Sequence, residues 1–181
     1  MDQNVKHDLK PLIRFMEHLP KSRDVELTIL KCHLLIEELL HKIIAKNAEY
    51  PKYIDSAKLR FIHKMCLARA FTKYGIKPWV WGAIKKLNET RNKLAHGLSA
   101  DEIKAEYEAF IKVVESATGV LADNLVNENF SRFHWAAFKV FGSLSAYVHF
   151  DPTLRKHTTI LTRVTEPDGA VDQGHNEPVE K

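Results

Sequence analysis

The chain has 181 residues, 45 % of them hydrophobic, with only 7 Gly and 7 Pro. This suits one domain with tails and excludes a loop-rich all-β fold. A formal net charge of +4 and a pI near 9.0 permit a nucleic-acid partner without requiring one.

Met1 to Asp8 carries charges and no apolar run, so no signal peptide is expected. Asn4 to Leu19 can form a short helix with Leu9, Leu12, Ile13 and Met16 on one side, its start restricted by Pro11. Asp24 to Ala45 reads as a strong helix that Asp24 can cap. One stripe is Leu27, Leu30, Leu34 and Ile44, and Glu37 falls on it. Ile29, Cys32, Ile36, Leu39, Leu40 and Ile43 cover much of the rest. A helix apolar nearly all round is central, touching a core and something else. Asn47 to Ile54 is expected as a loop. Ser56 to Phe71 is expected as a helix with Leu59, Ile62, Cys66 and Ala70 on one side.

Pro78 opens the next helix, which runs to Ala95 and stops at Gly97. Its stripe is Val80, Ile84, Leu87, Arg91 and Leu94, so Arg91 stands where the pattern asks for an apolar residue. Ser99-Ala100-Asp101-Glu102 is a capping box. It predicts a long helix with Ile103, Tyr107, Phe110, Val114, Ala117, Leu121 and Leu125 on one stripe. Phe130 to Val148 reads as a last, aromatic-rich helix. Thr158 to Val164 is β-branched, which predicts a short strand pairing back onto Ala146 to Phe150. Residues 1–150 are thus a helical domain. Residues 151–181 are a C-terminal extension, a polar tail after about 165. Cys32 and Cys66 lie in apolar patterns and read as buried thiols of a reducing compartment. Apolar runs are too short for a membrane span, so the expected location is cytoplasmic.

Arg91-Asn92-Lys93-Leu94-Ala95-His96 is the most specific short motif. A guanidinium can fork onto phosphate oxygens, and an imidazole exchanges protons near neutral pH. Together they can do phosphodiester chemistry without a metal. Asn92 and His96 are four apart and share a helix face. Arg91 also has two structural readings: snorkelling to solvent, or a buried ion pair with Glu37 or Glu38. His96 has one as well, a helix-terminal residue set against the dipole. Lys85, Lys86 and Lys93 give this helix a basic side that suits a phosphate backbone or simply faces water. Trp79 and Trp81 read as core or interface anchors. His33, Glu37 and His41 are metal-compatible in direction but lack zincin spacing. They read as a polar seam between helices, so neither a metal nor a cofactor is expected.

These residues resemble the HEPN family (higher eukaryotes and prokaryotes nucleotide-binding). Its hallmark is an Arg, a polar residue directly after it, and a His at the end of a helix. The resemblance covers roughly Asp24 to Leu125. It implies a bundle of four to five helices, usually homodimeric. It also implies a metal-independent endoribonuclease whose two motifs meet at the dimer interface, often a toxin or antiviral defence effector. Arg91, Asn92 and His96 would then be catalytic, with Glu37 or Glu38 orienting Arg91, and Lys85, Lys86 and Lys93 contacting RNA. The implied partners are RNA, a second copy of the chain, and an antitoxin or other regulatory protein. One departure is Leu98, where members paired with a nucleotidyltransferase antitoxin carry Tyr. Inactive members serve as dimerisation or nucleotide-binding modules, and mannitol-repressor-type transcriptional regulators look similar. A non-catalytic module therefore stays open.

Overall fold

The structure is a computed structural model that describes residues 3–20, 24–72, 75–97, 102–122, 126–127 and 130–149. They form an all-α bundle: α1 (Gln3–His18), α2 (Val25–Asn47), α3 (Lys52–Ser56), α4 (Phe61–Phe71), α5 (Pro78–Ala95), α6 (Lys104–Thr118) and α7 (Arg132–His149). No helix among the described residues is long and apolar enough to cross a membrane. The box residues Ser99 to Asp101, Leu98, Leu125 and the whole 151–181 extension lie outside the described residues. The partner expected for the Thr158–Val164 strand is different: Ala146 to His149 belong to α7, which leaves no extended segment there to pair with.

α2 is the central element and packs against α4, α5 and α7. α5 lies along α6, and α1 and α6 both rest on α7. The Asp24 carboxylate accepts the Leu27 N–H at 2.9 Å, capping α2 as its side chain predicts. Such a cap stabilises a helix by about 1 kcal/mol.

The buried face of α2 is Ile29, Cys32, His33, Ile36, Leu39, Leu40, Ile43 and Ile44. The stripe that begins Leu27, Leu30 and Leu34 instead meets solvent, with Leu34 63 % exposed. Both stripes are apolar, so spacing alone did not choose between them. The buried one keeps its apolar residues through Leu40 and Ile43, whereas Glu37 and His41 break the other, of which only Ile44 is buried.

Two boundaries differ from the sequence expectation. Lys52–Ser56 forms the one-and-a-half-turn helix α3 inside what reads as loop. α4 begins at Phe61, not at Ser56, because Lys58 adopts φ 46 and Arg60 is extended. The buried face of α4 is Phe61, Met65 and Ala68, and the face of Ile62 and Cys66 meets solvent. Cys32 is buried, and both cysteines are free thiols. Burial pushes the Cys32 thiol far above its ordinary range.

α6 stops at Thr118 because Gly119 takes φ 85, a left-handed conformation that L side chains rarely adopt. Leu121 still folds into the core after the helix ends. Aromatic rings close the bundle. Phe15 stacks on Phe141 at 4.2 Å, and Phe133 lies between Tyr107 at 4.8 Å and Phe110 at 5.0 Å. Beside them Arg132 donates a two-pronged pair of hydrogen bonds to Glu115, at 2.8 and 2.7 Å, tying α7 to α6.

Candidate functional site

α5 carries the Arg91 motif, and its sequence explains its ends. Pro78 sits in the first turn, where its missing N–H costs no hydrogen bond. Gly97 follows with φ 82 and turns the chain away. Val80, Ala83, Ile84, Leu87 and Thr90 are buried. Thr90 is tolerated in the core because its hydroxyl donates to the Lys86 carbonyl at 2.9 Å. Trp81 is buried and Trp79 packs against the core, as anchors should.

Arg91 follows at the margin of this face and is half-buried. It makes no ion pair with a carboxylate among the described residues. Its guanidinium leans toward the Asn92 side-chain oxygen at 3.5 Å, a long and weak contact. Asn92 is exposed, and its carbonyl accepts the His96 N–H at 3.2 Å, so the two residues stack one turn apart. His96 caps α5 with φ −89 and ψ 14, and its exposed ring has no side-chain partner among the described residues. The motif is therefore a surface feature: among the described residues, the Arg91 cation has no counter-carboxylate and the His96 imidazole at the end of the same helix is unengaged.

The residues expected to support it are engaged elsewhere. Glu37 accepts from Lys64 at 2.8 Å. Glu38 accepts from Lys42 at 2.6 Å and faces Arg14 at 3.7 Å. Neither forms an ion pair with Arg91: α4 brings Lys64 to Glu37, and Glu38 is held by Lys42 one turn along α2 itself, with Arg14 of α1 beyond it. The lysines are engaged too. Lys86 pairs with Glu89 at 2.8 Å, Lys85 approaches it at 4.0 Å, and Lys93 pairs with Glu106. The Lys86 pKa lies above, and the Glu106 pKa below, its ordinary value, each chiefly through the hydrogen bond to its partner.

The residue that sequence reasoning did not assign to the site is His33. It is only 6 % exposed, stacks on Phe61 at 4.0 Å, and shares a hydrogen bond with the Asn88 side chain at 3.2 Å. Asn88 precedes Arg91 by one helical turn, and the Arg91 charge acts on the His33 ring. His33, Glu37 and His41 form the expected polar seam. Each faces a different element: Asn88 on α5, Lys64 on α4, and Asp55 on α3 at 2.8 Å from His41. The signal available in the sequence was His33 itself, a polar residue among the buried positions of α2. No group of three or more metal-ligating side chains occurs among the described residues.

Burial pushes the His33 pKa below its ordinary value of 6.5, with Arg91 adding to the effect while Asn88 and Glu37 oppose it. His134 is lowered the same way, chiefly by burial, against a hydrogen bond with the Pro20 carbonyl. The fold thus holds both rings neutral. As pH falls below 6.5, the unfolded chain takes up these protons first. Their contribution to stability is complete above that value and is lost below it. The thermal midpoint is expected to hold steady above about pH 7 and drop by about pH 5.5. Replacing both histidines with Gln is expected to flatten that drop. An unchanged acid-side slope in the double variant would assign it to the carboxylates instead.

A groove of about 690 Å³ lies elsewhere, between α1 and α7, lined chiefly by Leu12, Ile13, Met16, Phe130 and Phe138. None of the motif residues lines it. No family model matches the chain, nor does any curated protein or solved structure.

Proposed function

We propose that the protein is a metal-independent endoribonuclease of HEPN type, acting as a homodimer in the role of a toxin or defence effector. The observation that carries this reading is that the last turns of α5 carry both Arg91, without a carboxylate partner among the described residues, and His96, whose ring has no side-chain partner among them. Arg91 would neutralise charge developing on the scissile phosphate. His96 would accept the 2′-hydroxyl proton as that oxygen attacks phosphorus. A second imidazole would protonate the departing 5′-oxygen, leaving a 2′,3′-cyclic phosphate and a 5′-hydroxyl. Asn92, beside both residues, would hold a phosphate oxygen. One chain offers one motif histidine, so the acid and base roles fit a dimer in which His96 comes from each copy.

The exposed Leu27, Leu30 and Leu34 supply an apolar surface for that dimer. Leu30 stands one turn before His33 on α2, and the His33 ring bonds Asn88 of α5. Leu30→Asp with Leu34→Asp is expected to leave the fold intact, give a monomer by sedimentation, and remove cleavage. A stable dimer in that variant would move the interface elsewhere.

The direct test is purified protein and unstructured RNA in excess EDTA, with end-group analysis of the products. Cleavage with cyclic-phosphate ends is the expected result. The ion pairs that occupy Lys85, Lys86 and Lys93 favour a second reading, a non-catalytic dimerisation or regulatory module of the mannitol-repressor kind. A folded dimer that leaves every RNA intact would select it.

A further inference from the structure

α3 contributes no buried residue, and only Ile54 packs partway against the core. Yet it and the residue two positions before it carry two large aromatic rings in solvent. Tyr50 is 59 % and Tyr53 62 % exposed. Their rings meet edge to face at 6.3 Å, and the Lys52 ammonium stands 5.0 Å from the centre of the Tyr53 ring. Apolar ring surface left in water gains by being covered, and these two rings stabilise nothing in the core.

Along the chain around them, from 49 to 60, three cations outnumber two carboxylates. Lys52, Lys58 and Arg60 form no ion pair among the described residues, and the left-handed turn at Lys58 breaks the chain between α3 and α4. Asp55 is occupied by His41. Only Glu49 opposes the three cations without a partner of its own. An anionic ligand with flat rings fits both features at once.

The polar seam of α2 sets the distance to the motif. His33 marks the level of Asn88 and Arg91, and His41 marks the level of α3. The two histidines are eight residues apart on one helix, about 12 Å at the α-helical rise. Lys64 lies between them at Glu37. Measured along the α2 axis, that rise is the length of a few nucleotides of an extended strand.

We infer that Tyr50 and Tyr53, with Lys52, Lys58 and Arg60 around them, form a stacking platform for unpaired bases of the strand whose phosphate lies at Arg91. This rests on the ribonuclease reading for the position of the phosphate. It deepens that reading by naming the substrate as single-stranded near the cut. Bases inside a duplex are stacked on each other and do not reach the rings.

The test is binding of the full chain to a short fluorescent oligodeoxynucleotide, single-stranded and unstructured. It lacks the 2′-hydroxyl nucleophile, so binding is read without cleavage. Tyr50→Ala with Tyr53→Ala is expected to weaken binding roughly tenfold for each ring that carries a base. Tyr50→Phe with Tyr53→Phe keeps the rings and is expected to bind as wild type. A duplex of the same sequence is expected to bind equally to wild type and to the Ala pair. Unchanged single-strand affinity in the Ala pair overturns the platform, as does an equal loss on duplex. Absence of any wild-type binding also overturns it and turns the rings into a protein-contact surface. The thermal midpoint of the Ala pair checks folding. RNA cleavage by wild type, scored in parallel, separates the two ideas. Cleavage with unchanged Ala-pair binding sinks the platform alone, whereas tyrosine-dependent binding without cleavage sinks the ribonuclease alone.

Discussion

His96→Ala is expected to lower RNA cleavage by about a hundred- to ten-thousand-fold, the range for losing a general acid–base group. Arg91→Ala is expected to fall as far, since it removes the charge that stabilises the pentavalent phosphorane. Arg91→Lys distinguishes shape from charge. A lysine keeps the cation but loses the planar fork, so it is expected to recover only part of the rate. None of these changes should unfold the protein. His96 is exposed, and Arg91 is half-buried with only a long contact to Asn92. Equal thermal midpoints across the series would therefore assign the loss to chemistry. EDTA should leave the wild-type rate untouched. Wild-type cleavage by His96→Ala, or its disappearance in EDTA, would remove the motif from the mechanism. The prediction is sharp because the two side chains have so few other duties: the nearby lysines and glutamates are held in ion pairs, and these two are not.

Phe133→Ala is expected to cost about 4 kcal/mol, the cost of deleting a fully enclosed aromatic side chain. Phe133 is 1 % exposed and lies nearly parallel to Tyr107, with the Phe110 ring tilted against it. Truncation removes both ring contacts and leaves a cavity. That cavity cannot collapse freely, because the adjacent Arg132 clamps α7 to Glu115 of α6. A domain of this size holds about 5–15 kcal/mol in all, so the loss is a large share. Urea unfolding measures it as a shift in midpoint. Val120→Ala, at a position 69 % exposed, is the comparison and is expected to change stability by about 0.5 kcal/mol or less. Equal midpoints for the two variants would mean that the α6–α7 aromatic contact is not a stability element.

Local chemistry made much of this readable in advance. Pro78 and Gly97 mark the ends of α5, Asp24 caps α2, and heptad-like apolar spacing reports an all-helical chain. Each of these signals acts within one or two turns, where neighbours in sequence are also neighbours in space. The Arg91, Asn92 and His96 alignment is of the same kind, since four residues along a helix is one turn.

What the sequence by itself determined, then, is the helices, most of their ends, and the shared face of Asn92 and His96. Tertiary structure alone decided three other matters. It chose which of two apolar stripes on α2 is buried and left Leu27, Leu30 and Leu34 in solvent. It gave Glu37 of α2 to Lys64 of α4, left Arg91 without a carboxylate among the described residues, and set His33 against Asn88. It also left the rings of Tyr50 and Tyr53 outside the core. The physical reason is common to all three. Helical periodicity states which residues share a face, but ion pairing and burial depend on which other helix arrives at that face, and at what height.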